Sequence, residues 1–228
     1  KNKIFKKIKE LNSSKFSLET DLMPLLKNKK QKIFKNHYLD IGSYKGIKFA
    51  PYWIKKNIFK NFVIFDRDGV FNIDKGYVFK KKDFLWNKNI FPILKYLNKK
   101  NYLIFIITNQ SGIGRGYYST KQFYNLNDWM LKVLLKKKIF IDEIFFSPYF
   151  KNSKNSKFKK GKKFRKPNTG FFDLIKKKYP IKIKDSFVVG DKLTDKLFSK
   201  NIGVKYFQVN RNSDILKILY YLKKNEKK

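Results

Sequence analysis

The sequence contains no cysteine, one alanine (Ala50), one histidine (His37) and only four arginines. The absence of cysteine excludes disulfides, thiolate nucleophiles and thiolate-ligated metals. Long hydrophobic runs are missing as well. Nothing approaches the roughly 18 consecutive apolar residues that a membrane-spanning helix needs. The N-terminal stretch KNKIFKKIKE is basic but has no continuous apolar segment, so a secretory signal is not expected there. These absences lead to the expectation of a soluble, cytoplasmic protein with no membrane partner.

Acidic residues are scarce: 17 Asp and Glu stand against 55 Lys and Arg, a formal net charge of +38. A charge of that size suits a polyanionic partner such as nucleic acid. The cations are almost all Lys, however, and they run along the whole chain instead of clustering. They accompany an equally general excess of Asn, Phe and Tyr. That pattern points to compositional drift at tolerant surface positions, so nucleic acid is not the expected partner. The field still favours a phosphorylated substrate. With 228 residues, 42% of them hydrophobic, the chain has room for one ordinary domain with a core and an appendage.

The expected organisation is an N-terminal piece over residues 1–57, a main domain over 58–222 and a basic tail over 223–228. The main domain alternates strand and helix signals. Short apolar runs at 62–65, 102–107, 143–146, 186–189 and 204–209 read as strands, the second of them buried on both faces. Helical spacing over 89–100, 120–137, 169–178, 194–201 and 213–223 separates or closes them. The expected fold is therefore α/β, a Rossmann-like parallel sheet with helices on both faces, in three layers. In such sheets ligands bind beyond the carboxyl ends of the strands. Asp66 and Asp68 follow the first strand, Thr108 and Asn109 the second, and Asp191 a later one. Three strand ends thus bring polar chemistry to one edge.

Asp66 and Asp68 stand two residues apart, and two such carboxylates repel unless a cation or a shared proton relieves them. Magnesium, which takes carboxylates, waters and phosphate oxygens, does so, and Asp191 completes the protein ligands. One carboxylate can then attack phosphorus to give an aspartyl-phosphate. The other can protonate the leaving oxygen and later activate water. Thr108 offers a hydroxyl and Lys166 a fixed cation to the phosphoryl oxygens. An isolated D-x-D is more often a solvated turn; the downstream Thr108, Lys166 and Gly190-Asp191 change that balance.

The ordered set DRDG (66–69), TNQSG (108–112), RKP (165–167) and GDKLTD (190–195) resembles the haloacid dehalogenase superfamily of phosphatases. DRDGVFN, Gly76-Tyr77-Val78, TNQSGIGRGYYS, RKPNTG and VGDKLTD resemble its D,D-heptose 1,7-bisphosphate phosphatase branch, with histidinol-phosphate phosphatase a close relative. The resemblance covers about residues 61–210. It implies a phosphoric monoester hydrolase in which Asp66 is the nucleophile, Asp68 the proton donor, and Thr108 and Lys166 the stabilisers of the phosphoryl group. Mg²⁺ would be held by Asp66, Asp191 and the backbone carbonyl of Asp68. Asp74, Lys75, Gly76, Tyr77, Thr108, Asn109, Gln110, Ser111 and Arg165 would contact substrate. Lys192 and Asp195 would support the metal loop. Arg165 can grip a second phosphate bidentately. The implied reaction removes the 7-phosphate of D-glycero-D-manno-heptose 1,7-bisphosphate, in the biosynthesis of nucleotide-activated heptose, by a monomeric enzyme.

One departure is plain. In this branch the loop before RKP often carries zinc on three Cys and one His. Here those positions are Ser147, Tyr149, Lys162 and Phe164, which cannot form that site, so no zinc is expected. The lysine-rich loop must be held otherwise, with Phe150, Phe158 and Phe164 as candidates. Within residues 1–57, FSLETDLMP (16–24) and HYLDIGS (37–43) resemble the C-terminal end of sugar-phosphate nucleotidyltransferases, as a remnant lacking the nucleotide-binding body. Three alternatives remain open: a histidinol-phosphate phosphatase, a nucleic-acid 3′-phosphatase, and an inactive remnant.

Overall fold

A computed structural model describes residues 58–225 and the isolated positions 47, 48 and 50. Most of the 1–57 piece, with its nucleotidyltransferase-like segments, therefore lies outside the described residues. So do residues 226–228 of the tail.

Five strands form one parallel sheet in the order β3-β2-β1-β4-β5. They are β1 (Lys60–Phe65), β2 (Leu103–Asn109), β3 (Glu143–Ser147), β4 (Ile181–Gly190) and β5 (Lys205–Gln208). The five expected strands are all present. β4 starts five residues earlier than the apolar run suggested. Its first half, IKIKD, alternates Lys with Ile and ends at Asp185 with φ +63°, so apolar content could not reveal it. The β1–β4 register slips between Asn61 and Val63, opposite that irregularity.

Seven α-helices lie among residues 58–225: α1 (Ile90–Lys99), α2 (Ser111–Arg115), α3 (Thr120–Lys136), α4 (Ser156–Lys159), α5 (Gly170–Lys178), α6 (Leu193–Ile202) and α7 (Asn212–Asn225). Successive side chains of a strand point to opposite faces. Accordingly Val63, Phe65, Ile104 and Ile106 meet α1, α3 and α7 through Ile93, Leu97, Met130 and Ile218. Phe62, Ile64, Phe105 and Ile107 meet α5 and α6 through Phe172, Ile175, Phe198 and Ile202. The result is the expected three-layer α/β arrangement. It explains why β1 and β2 read as unbroken apolar runs: neither face sees water.

α3 begins with a reciprocal cap. The Ser119 hydroxyl accepts from the Gln122 N–H, and the Gln122 side chain accepts from the Ser119 N–H. α7 runs to Asn225, three residues into the expected tail. No helix among the described residues is long and apolar enough to cross a membrane.

Candidate active site

The parallel order places the carboxyl ends of β1, β2 and β4 side by side. β1 delivers Asp66, whose N–H donates to the Val189 carbonyl, so the loops after β1 and β4 leave the sheet together. β2 delivers Thr108 and Asn109, and β4 leads into Asp191. Above these ends lies a cavity of ≈ 550 Å³. Its lining includes Asp66, Asp68, Asp74, Gly76, Tyr77, Thr108, Asn109, Gln110, Ser111, Arg165 and Lys166. Lys75 is not among the lining residues; it faces a neighbouring groove with Tyr77, Phe79 and Tyr117.

Lys166 is the electrostatic centre. It is 3% exposed, and its ammonium lies 2.9 Å from Asp66 Oδ1 and 2.6 Å from Asp195 Oδ1. Burial alone would push that ammonium down, but the Asp66 and Asp195 carboxylates outweigh it and hold Lys166 above its ordinary value. Burial raises Asp66; Lys166 opposes that shift and Asp195 adds to it. The backbone of Lys166 is fixed separately: its N–H donates to Asn109 Oδ1 at 3.0 Å, and Asn109 Nδ2 donates to its carbonyl at 3.1 Å. Sequence reading had given Asn109 only a substrate contact. The structure shows it clasping the next loop to the end of β2.

Asp68 lines the same cavity but takes its partners outside this cluster. It accepts from Arg67 Nη2 at 2.9 and 3.0 Å, from Asn72 Nδ2 at 3.0 Å and from Gln110 Nε2 at 2.8 Å. Arg67 is fully buried, also donates to the Val78 carbonyl at 2.8 Å, and lies 5.5 Å from the centroid of the Phe123 ring. Nothing in its residue type distinguishes it from a surface cation, and sequence reading passed over it. Tyr118 was missed as well; it is buried and donates its O–H to Gln110 Oε1.

Ligand atoms of Asp66, Asp191 and Asp195 lie within 4.8 Å of one another. Asp195 is already engaged, ion-paired with Lys166 through Oδ1 and accepting from the Lys192 N–H through Oδ2 at 3.1 Å. Asp191 has a buried Oδ1 without a protein partner. Burial, reinforced by Asp66, pushes its carboxyl up to about 7. An acid held that high beside another acid is under-compensated, which is what a divalent cation relieves. Mg²⁺ therefore fits the pair Asp66 and Asp191.

Two further contacts frame the mouth. Asp74 Oδ2 pairs with Lys192 Nζ at 2.7 Å, tying the segment after β1 to the start of α6. The Tyr77 ring, on a residue with φ +50°, meets the Tyr117 ring edge-on at 4.7 Å. Arg165 lines the cavity, half buried, with a buried Nη1 that has no protein partner. Burial and the nearby Arg115 both lower its guanidinium. The four positions discussed for zinc carry no thiol or imidazole; Ser147 is buried at the end of β3, and Phe164 packs on Phe171 at 5.0 Å.

A family model described as polynucleotide kinase 3 phosphatase matches residues 61–211. The D-glycero-alpha-D-manno-heptose-1,7-bisphosphate 7-phosphatase of Campylobacter jejuni is 43% identical over 130 residues, 57% of this chain and 70% of that protein. The D-glycero-beta-D-manno-heptose-1,7-bisphosphate 7-phosphatase of Haemophilus ducreyi is 39% identical over 147 residues, 64% of this chain and 80% of that one. Among solved structures, a D,D-heptose 1,7-bisphosphate phosphatase from B. bronchiseptica, complexed with magnesium and phosphate, superposes with a TM-score of 0.56. The two are 25% identical, with 65% of this chain and 79% of that one covered.

Proposed function

The chain belongs to the polynucleotide kinase 3 phosphatase family, and on that premise we propose that it is a phosphatase that removes the 7-phosphate of D-glycero-manno-heptose 1,7-bisphosphate. The observation that carries the chemistry is the buried Asp66–Lys166–Asp195 cluster, whose Asp66 and Lys166 line a cavity at the carboxyl ends of three strands. The substrate rests on the relatives at 43% and 39% identity, whose named substrates are heptose bisphosphates of either anomer.

Asp66 attacks phosphorus, forming the aspartyl–phosphate bond as the bond to the sugar oxygen breaks. Asp68 gives its proton to that oxygen, then takes one from the water that cleaves the intermediate. Lys166 neutralises charge on the equatorial oxygens, and Asp195 keeps its ammonium charged and aimed. Thr108 donates to the same oxygens. Asp66, Asp191 and the carbonyl of Asp68 would hold Mg²⁺, which supplies further neutralisation of the phosphoryl charge. The free Nη1 of Arg165 suits the distal phosphate, and Asp74, Gly76, Tyr77 and Ser111 border the sugar. In this reading the enzyme is cytoplasmic and monomeric, works in nucleotide-activated heptose biosynthesis, and its Ser147–Phe164 loop functions without zinc.

The name of the family and the charge of +38 favour one second reading, a polynucleotide 3′-phosphatase. The deciding assay measures phosphate release with Mg²⁺ from both anomers of the heptose bisphosphate, histidinol phosphate and a 3′-phosphorylated oligonucleotide. One phosphate per heptose bisphosphate, lost in Asp66→Asn, is expected. Activity persisting in Asp66→Asn sinks the mechanism. Preference for the oligonucleotide, with a steep salt dependence, moves the substrate to nucleic acid.

A further inference from the structure

We infer that Tyr118 and Gln110 are positioning residues that set the direction in which the Thr108 hydroxyl donates, a role resting on phosphoryl transfer at Asp66. Hydrogen-bond polarity fixes the arrangement. The Arg67 guanidinium only donates, and a buried phenol O–H needs an acceptor, whereas a glutamine amide donates at one end and accepts at the other. Gln110 is buried between such groups. Its amide nitrogen lies 2.8 Å from Asp68 Oδ2 and 2.8 Å from Thr108 Oγ1. Its oxygen faces the Tyr118 hydroxyl and, at 3.5 Å, Arg67 Nη2. Only one orientation of the amide satisfies all four neighbours.

That orientation decides what Thr108 does. A threonine hydroxyl has one hydrogen and two lone pairs. Gln110 occupies a lone pair, so the hydrogen is left to donate into the cavity that Thr108 lines. Turned over, the amide would present its oxygen to Thr108 and claim that hydrogen. The phosphoryl group would then lose a donor. Tyr118 opposes the turn because its O–H needs an acceptor. Burial raises the phenol above its ordinary value, so it stays a donor. Its ring is itself fixed: it stacks on Phe79 at 4.9 Å and 7°, and it fills space beside Gly112 that a β-carbon would occupy. Without the phenolic O–H, the buried Gln110 oxygen keeps only the long contact to Arg67, a loss of about 1–3 kcal/mol that holds the amide less firmly in the orientation that leaves the Thr108 hydrogen free.

The test uses Tyr118→Phe, Gln110→Met, Thr108→Val and the pairwise doubles in the full chain. Tyr118→Phe keeps ring volume and stacking. It is expected to lower kcat about 10-fold and Gln110→Met about 100-fold, with KM unchanged within about twofold. Orthovanadate, a five-coordinate mimic of the group in flight, loses affinity in step with kcat, while inorganic phosphate does not. In the Thr108→Val background Tyr118→Phe has no further effect, because both act on one hydrogen bond. A wild-type chain that releases no phosphate overturns the chemistry and the relay together. An active wild type matched by Tyr118→Phe overturns the relay alone. So does a Tyr118→Phe loss that persists undiminished in Thr108→Val, or one that appears as lowered melting temperature and raised KM.

Discussion

Gly69 and Asp191 fit together without room for a single extra carbon. Gly69 has φ +88°, and a β-carbon there would overlap the Asp191 carboxylate. The loop after β1 and the loop after β4 can approach closely enough to share a cation only because that position is glycine. Gly69→Ala combines backbone strain with this overlap. It is expected to cost about 1–3 kcal/mol of stability and at least about 100-fold in activity. Thermal melts with and without Mg²⁺ check both parts, because the variant should also lose the metal-dependent rise in melting temperature.

Asp191 should make the metal-free protein more stable in mild acid. Its carboxyl is pushed from the ordinary 3.8 up to about 7 by burial, with Asp66 adding to the shift. The folded state therefore binds the proton more tightly than the unfolded chain. Its contribution falls as pH rises from about 4 to about 7. Without Mg²⁺, melting temperature is expected to fall across that window more steeply in the wild type than in Asp191→Asn. With Mg²⁺ the wild type gains at pH 8 and the variant does not. Identical pH profiles for the two proteins would refute the assignment.

Lys166 should matter to the fold as much as to the reaction. Lys166→Met leaves Asp66 and Asp195 buried and uncompensated, a loss expected at about 3–5 kcal/mol near neutral pH. The deficit shrinks as pH falls, since protonation removes the stranded charges. Denaturant titrations at pH 8 and pH 5 measure the difference. Lys166→Arg keeps the charge but not the geometry, and should recover stability more than activity.

The Asp74–Lys192 pair should behave differently. It is partly exposed, so Asp74→Asn is expected to change stability by less than about 1 kcal/mol. Burial would raise Asp74, but the hydrogen bonds from Lys192 and the Gly76 N–H, with the charges of Lys192 and Arg67, together outweigh it and hold the carboxyl low. The pair ties the Tyr77 segment across the cavity mouth. Its loss should raise KM several-fold with a smaller change in kcat, read by steady-state kinetics.

The Ser147–Phe164 loop is expected to need no metal. Arg115 lies 3.9 Å from the Phe150 ring centroid, Phe158 packs on Ile113, Tyr118 and Phe123, and Phe164 packs on Phe171. A zinc-selective chelator should leave melting temperature and activity unchanged in Mg²⁺ buffer. Phe150→Ala combined with Phe158→Ala should lower both, because together they remove the loop's packing on Arg115 and on the Ile113, Tyr118 and Phe123 cluster. Elemental analysis showing stoichiometric zinc would contradict this.

The sequence by itself determined the strand order of events along the chain. Runs such as VIF and LIFII can be buried on two faces and nowhere else, and each is followed by the polar residue that the sheet presents at its carboxyl edge, Asp66 and Thr108. It also marked Asp66, Thr108 and Asp191 as candidates, because each stands at or just past the end of such a run, whereas Lys166 stood out only through the RKP resemblance. Tertiary structure decided the polarity and partnership of these groups. Arg67, Asn72 and Tyr118 lie in loops without periodicity, and a buried hydrogen bond leaves no pattern in the residues that make it. The first half of β4 and the short helix α2 were equally hidden, one by its lysines and the other by its two glycines. Which donors hold Asp68 at the cavity wall, and which end of Gln110 meets Thr108, depends on groups brought together from positions 67, 72, 110 and 118. Only the folded chain puts them within hydrogen-bond reach.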